Sequence, residues 1–564
     1  MDLDLSRLAP PQNLTDDERS TLFLWLFRRI ATFRNTKYLY AEQDPTLNDP
    51  SRREYELHLQ QWADSIVSVA FSVNGEPGGA PCPPLDPLTE TATAHLRLPP
   101  QEAVDRFLNC LAFLHIANSK EFSSLTRSFL SSLGSLDERL IVAALRNPKR
   151  AIEETQKLAK AATQKQAKEG QVLRMAGVGL AAVAGGVLVG VTGGLAAPLV
   201  GAGVGTVLGI LGVGGTTLGL LTTALASSSI ITGALFGAYG SHSAGSSILR
   251  HTREVKDFDI VPVHSKDNGN EGLGVRLCVS GWLTSREDVV APWTVFEDDG
   301  DDILALQWEV EQLEALSDAL MKLVKTNAMR YVRVEVLKRT VFAALMASLA
   351  PMALLKMKEI VDNDWMNSKA LAIKAGAVLG SLLEKRAFGH RPITLTGYSL
   401  GALVILEALK HLASLPPSET LHLVQDVYLY GTPAPSDDME LWTSIRRLVA
   451  GRVVNGYSED DYVLGVLCRL SSATWAVAGL QPVNALGIEN VLCAVEGHTR
   501  WRAEIGHSLV LSGVSGLSAE RVSEQVQTVR IWPGRRMPAM LTVDDERRRV
   551  RGRRRDEGVK QDNR

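Results

Sequence analysis

The sequence predicts an α/β protein with a mostly parallel sheet, preceded by a helical N-terminal domain and a glycine-rich helical membrane segment. Three observations lead there. Apolar residues recur at helical spacing through residues 15–170, the 75 residues from Met175 to Leu249 contain no Asp, Glu, Lys or Arg, and after Arg250 short apolar runs alternate with helical stretches. The expected divisions are a helical domain at 1–172, a membrane-associated segment at 173–249, an α/β domain at 250–535 and a disordered basic tail at 536–564.

In the first of these, Leu22, Leu24, Trp25, Leu26 and Ile30, and later Val104, Phe107, Leu108, Leu111 and Leu114, fall on helix faces, with GEPGGAPCPPLDP separating two helical groups. A helical bundle or interaction domain fits this pattern, and no catalytic constellation is visible in it. The opening residues are acidic and lack the apolar core of a secretory signal, so N-terminal export is not expected.

Lys149–Arg174 then carries seven Lys/Arg against three Glu on strong helix formers, the pattern of a basic helix beside a membrane. The charge-free run that follows exceeds the ~20 residues a spanning helix needs and leaves room for two or three spans. Its glycines recur four apart, Gly186 with Gly190, Gly201 with Gly205 and Gly233 with Gly237, which lets helix backbones approach closely in lipid. A glycine-rich helical pair packed against protein has the same signature.

The overall balance, 564 residues with a net charge of -3, 45% hydrophobic and 22% charged, excludes a wholly disordered, collagen-like or strongly nucleic-acid-binding chain. That average hides a tail at 547–564 with eight Arg and one Lys against three acids, a local +6 that leaves -9 elsewhere. The tail is expected to be disordered, and either to be solvated without a role or to touch anionic lipid. Five scattered cysteines without a C-x-x-C pair indicate neither a disulfide framework nor a structural zinc site, and suit a reducing compartment.

Within the α/β domain the expected strands are Asp259–Val263, Val275–Ser280, Ile303–Trp308, Ile393–Thr396, Asp426–Tyr430, Arg452–Asn455 and Asn490–Ala494. A long insertion, Tyr331–Phe388, contains the uncharged stretch Thr340–Leu355, which suits a buried crossover helix, a membrane contact or a lid.

The chemistry concentrates in Thr396-Gly397-Tyr398-Ser399-Leu400-Gly401, a G-x-S-x-G turn between an apolar strand and a helix. Such a nucleophile elbow forces its serine into a strained backbone region, which only small residues at Gly397 and Gly401 accommodate. The Leu400 amide at the helix start would donate to an oxyanion. A serine needs a histidine base and an orienting acid, which in an α/β-hydrolase follow in the order Ser, Asp, His. Asp460 and Asp461 lie just past the RVVN strand, and His498 follows the last strand, with His507 as its competitor. The loop Ser280-Gly281-Trp282-Leu283 would supply the second oxyanion donor from Trp282, whose ring could line an acyl pocket. Asp288, Asp298 to Asp302 and Glu309 read as loop or surface charges without metal-ligand spacing.

The glycine-rich TGGLAAPLV, the SGWL loop, QWE, TGYSLGALVI, YLYGTP, RVVNGYSEDDYVL and GHTRW together resemble the transmembrane and coiled-coil domain-containing protein 4 family, from about residue 110 to 512. The resemblance implies an α/β-hydrolase-like fold. Its N-x-Y-x-x-x-D pattern falls on Asn455, Tyr457 and Asp461, favouring Asp461 over Asp460, and its G-H-x-x-aromatic pattern falls on Gly497, His498 and Trp501, where the family often has Tyr. Fungal members are regarded as lipases and are linked to clathrin-adaptor trafficking, which implies adaptor proteins as partners.

The expected function is therefore a membrane-associated serine esterase or lipase acting on lipid esters, with Ser399 as nucleophile, His498 as base and Asp461 as orienting acid. Neither a metal nor an organic cofactor is expected, and no nucleic acid. The positive flank at Lys149–Arg174 is expected to hold the N-terminal domain on the cytosolic side, and the hydrolase domain with it if the run makes an even number of passes; three spans would place residues 250–564 in the lumen. The alternative is a catalytically silent hydrolase-like scaffold in membrane trafficking.

Overall fold

The computed structural model describes residues 7–11, 14–75, 81–147, 228–236, 255–264, 271–297, 300–324, 361–472 and 475–530. The basic stretch Lys149–Arg174, residues 175–227 and 237–249 of the glycine-rich run, Thr340–Leu355 and the tail at 536–564 lie outside the described residues.

Seven strands form one sheet: β1 (Phe258–Pro262), β2 (Gly274–Val279), β3 (Asp301–Trp308), β4 (Ile393–Tyr398), β5 (Val424–Tyr430), β6 (Val453–Tyr457) and β7 (Ile488–Leu492). Their spatial order is β1-β3-β2-β4-β5-β6-β7. Only β1 runs antiparallel to its neighbour, pairing Phe258 with Trp308, and the remaining five pairings are parallel. Each lies within two residues of its expected ends. β2 and β4 are buried along their whole length, which is why both read as near-continuous apolar and β-branched runs, whereas the edge strand β7 is only partly covered. The largest difference at a functional position is in β4. Gly397 reads as the start of a turn, yet it stays in the ladder, opposite Val279 on one side and Leu429 on the other, so the reversal is confined to Ser399.

The N-terminal helices α1 (Asp16–Glu42), α2 (Asp49–Val73), α3 (Gln101–Ser119), α4 (Ser124–Ser131) and α5 (Glu138–Arg146) build a second core. The entry of α1 is fixed by a capping box in which Thr15 and Glu18 satisfy each other's amides. This core is not independent of the sheet domain, because Leu273, Leu421 and Ala450 are buried in it. Charges seal the joint. Asp44 and Arg447 form an ion pair at 2.6 Å with both side chains essentially inaccessible, and the buried Lys37 ammonium donates to the Val449 and Ala450 carbonyls. Burial drives the Lys37 pKa well below its ordinary value. Arg127 bridges Glu138, Asp301 and Gln425. Burial opposes its charge, but the Asp301 and Glu138 carboxylates outweigh that and raise its pKa. Asp301 is therefore an inter-unit anchor and not a surface charge.

A sixth helix, α6 (Ser228–Phe236), is the described part of the glycine-rich run. It packs on protein: Ile231, Leu235 and Phe236 are buried in the N-terminal core, and the Arg391 guanidinium lies over the Phe236 ring at 5.1 Å. Among the described residues nothing comes within 4 Å of a Cβ built on Gly233, and its partner in the spacing, Gly237, lies outside them. Among the described residues no helix is long and apolar enough to cross a membrane.

Candidate active site

Ser399 sits between β4 and the helix Leu400–Ala413 with φ 56° and ψ -131°, one of few non-glycine residues at positive φ. Such a conformation costs on the order of 1–3 kcal/mol and persists only where the surroundings enforce it. Here the Ser399 amide donates to the Tyr430 carbonyl at 2.8 Å. A side chain at Gly397 would press on Ile405 at 2.7 Å, and one at Gly401 would strike the Val279 carbonyl, so both elbow glycines are dictated by space.

The loop after β2 lies flush against this turn. A methyl on Gly281 would land on the Gly401 and Leu400 amide nitrogens. Gly281→Ala is accordingly expected to cost about 3 kcal/mol, the upper range for overpacking, read as a lowered denaturation midpoint. The loop is held from behind. The Trp308 indole donates to the Ser280 carbonyl, the Trp293 indole to the Ser280 hydroxyl, and Tyr398 to the Trp282 carbonyl, all within 2.9–3.0 Å. The Trp282 ring is 2% exposed and belongs to the sheet core, so it is packing and not an open acyl-pocket wall. Asp288 is also buried, contrary to its expected surface place. Its carboxylate takes the Thr284 and Ser285 amides and the Thr284 hydroxyl, and pairs with Arg502 at 2.6 Å, thereby fixing the loop's far end. Glu309 is likewise buried and accepts the Lys256 amide.

Ser399 Oγ lies 2.5 Å from His498 Nε2, and His498 Nδ1 lies 2.7 Å from Asp461 Oδ2. The three come from the C-terminal ends of β4, β7 and β6, the edge where open parallel sheets gather ligands. An ionised carboxylate only accepts, so Nδ1 carries the imidazole proton and the Nε2 lone pair faces the serine. Asp461 precedes the helix Tyr462–Ser472, and its Oδ1 caps that helix by accepting the Leu464 amide at 3.0 Å. Asp460 points to solvent, while its carbonyl takes the Gly497 amide and ties the acid loop to the histidine loop. His507 is on the helix Trp501–Leu511, and it is His498 that meets Ser399. Leu400 begins its helix, so its amide has no carbonyl one turn back to bond.

Two aromatic residues complete the site. Trp501 donates its indole N–H to Asp461 Oδ2 at 2.8 Å. The Trp365 ring meets the His498 ring edge to face at 6.3 Å, and its buried indole N–H has no partner among the described residues. Trp501 was visible as the aromatic three residues after His498, though not its role, and Trp365 carries no sequence signal because its approach is purely tertiary. Burial pushes the Cys468 and Cys493 thiols up to about 12, which keeps them protonated and poor nucleophiles at neutral pH. Among the described residues no His, Cys, Asp and Glu cluster is arranged to hold a metal ion.

Residues 171–514 match the family described as "Protein of unknown function (DUF726)", and the chain belongs to that family. It is 40% identical over 279 residues to an uncharacterized membrane protein of Schizosaccharomyces pombe, covering 48% of this chain and 47% of that protein. It is 35% identical over 344 residues to the transmembrane and coiled-coil domain-containing protein STS1 of Oryza sativa subsp. japonica, with 57% and 50% covered. It is 36% identical over 319 residues to the protein named "Probable lipase MIL1" of Saccharomyces cerevisiae, with 56% and 28% covered. The chain thus spans about half or less of the length of these relatives. No solved structure matches it.

Proposed function

We propose that the chain is a serine hydrolase of the α/β-hydrolase class that cleaves carboxylic esters of lipids at a membrane surface. The observation that carries this is the continuous hydrogen-bonded line from Ser399 through His498 to Asp461, drawn from the ends of β4, β7 and β6. In this reading His498 Nε2 takes the Ser399 proton as Oγ attacks the ester carbonyl, and the imidazolium is held by Asp461. The Leu400 amide, with the Trp282 amide on the facing loop, receives the developing oxyanion. His498 then returns the proton to the leaving alcohol, and water repeats the sequence on the acyl-enzyme. The relative named as a lipase supports the ester chemistry, and those named as membrane proteins support a lipid surface as its place of action. The positive flank at Lys149–Arg174 favours a cytosolic orientation.

A second reading, a silent hydrolase-like scaffold, is favoured by one observation: Ser399 is 1% exposed and His498 is wholly covered. A fluorophosphonate probe separates the two. Purified full-length protein in lipid vesicles is expected to take up one probe per chain. A folded chain that remains unlabelled, with or without vesicles, would establish the scaffold reading instead.

A further inference from the structure

We propose that Trp501 is a positioning residue of this site, holding the Asp461 carboxylate in the one rotation that keeps His498 aligned with Ser399. The inference rests on the hydrolase reading and adds a fourth member to its relay.

A carboxylate rotates over a broad, two-fold torsional well, so a single hydrogen bond to one oxygen leaves the other free to swing. The Leu464 amide fixes Oδ1 only as one such bond. On Oδ2 two donors converge, His498 Nδ1 at 2.7 Å and Trp501 Nε1 at 2.8 Å. The imidazole cannot serve as the fixed reference, because it is the group to be positioned and its charge changes during the reaction. The indole can. Trp501 is wholly inaccessible, and its ring lies 6.1 Å from that of Tyr430. Its remaining side faces Gly431, where a Cβ would come within 2.5 Å of Nε1, so the ring occupies a slot that only glycine leaves open. Tyr430 is anchored in turn by its hydroxyl bond to Ser512 at 2.8 Å. The indole N–H is thus a fixed donor fed by packing, and the acid is clamped between a helix start and a rigid ring. A donor on Oδ2 has a second effect: it reduces the electron density available to the Nδ1 proton, which keeps that proton on the imidazole as Asp461 stabilises its charge.

The test compares Trp501→Phe with Trp501→Tyr in the full-length protein, using a short p-nitrophenyl ester. Both replacements leave an aromatic ring smaller than indole, and they differ only in whether a donor remains. Trp501→Phe is expected to lower kcat about 10- to 100-fold with KM unchanged, the scale of one hydrogen bond to a charged group. Trp501→Tyr is expected to recover most of that loss at the same melting temperature. In an Asp461→Asn background Trp501→Phe should cost nothing further. Equal losses in Phe and Tyr, or additive losses with Asp461→Asn, would overturn the inference while leaving the hydrolase reading intact. A wild-type chain without turnover would overturn that reading and this inference together. Should both Trp501 variants fail to fold, the indole resonance of Trp501 in 15N-tryptophan-labelled protein supplies the measurement. It should move on Asp461→Asn, and an unmoved resonance would refute the contact.

Discussion

Ser399→Ala is expected to lower ester turnover by about 10⁶-fold, the loss found when a relay nucleophile is removed. The replacement is unusually clean at this position. Alanine keeps the Cβ, so the backbone strain at φ 56° is unchanged and the Ser399 amide still reaches the Tyr430 carbonyl. Only Oγ and its 2.5 Å contact with His498 are lost. Burial keeps the Cys468 and Cys493 thiols protonated, so neither offers a ready replacement nucleophile. Turnover of a p-nitrophenyl ester and fluorophosphonate uptake should disappear together, with the melting temperature retained. A variant keeping more than about one per cent of turnover would remove Ser399 from the mechanism.

The second large effect concerns the acid. Asp461→Asn is expected to reduce kcat by about 10⁴-fold with the fold preserved, because an amide presents N–H₂ or C=O to Nδ1 and no longer selects the productive tautomer. With the proton moved to Nε2, the imidazole would donate towards Ser399 and could not act as its base. Asn retains an oxygen to cap the Tyr462–Ser472 helix, which is why stability should change little. Asp460→Asn is the internal control, since that side chain is exposed. Comparable losses from the two, measured side by side, would contradict the assignment of the acid.

What the sequence made legible divides along the range of the forces involved. The elbow is local: strand, glycine, serine, glycine and helix follow within a dozen residues, and the spacing of Gly397 and Gly401 states the steric demand directly. The seven strands were legible because burial on both faces leaves only apolar and β-branched residues at β2 and β4. Two adjacent carboxylates could not be told apart by composition or spacing, and the motif resemblance was needed to favour one. In the structure Asp461 is turned inward, where the Leu464 amide, His498 and Trp501 hold its carboxylate, while Asp460 is exposed. Asp288 and Asp301 illustrate the opposite failure. An acidic residue in a loop normally faces water, and the cations that offset the burial of these two, Arg502 and Arg127, are far away in the chain. Trp365 lay beyond reach for the same reason, since nothing nearby in the chain marks it as a neighbour of His498.

The joint between the helical core and the sheet has a consequence for how the chain meets a bilayer. Asp44 with Arg447, Lys37 with Val449, and Arg127 with Asp301 are direct contacts that no lipid layer can separate, and α6 is buried in the same body. Everything from α1 to α5, α6 and the strands therefore stands on one side. If the charge-free residues from Met175 to the start of α6 enter a membrane, they must leave by the face they entered, and the same holds for residues 237–249. A single crossing, or three, would pull the partners of these contacts into opposite compartments. The serine and the helical core then share one aqueous compartment, since the contacts that join them leave no room for a bilayer between.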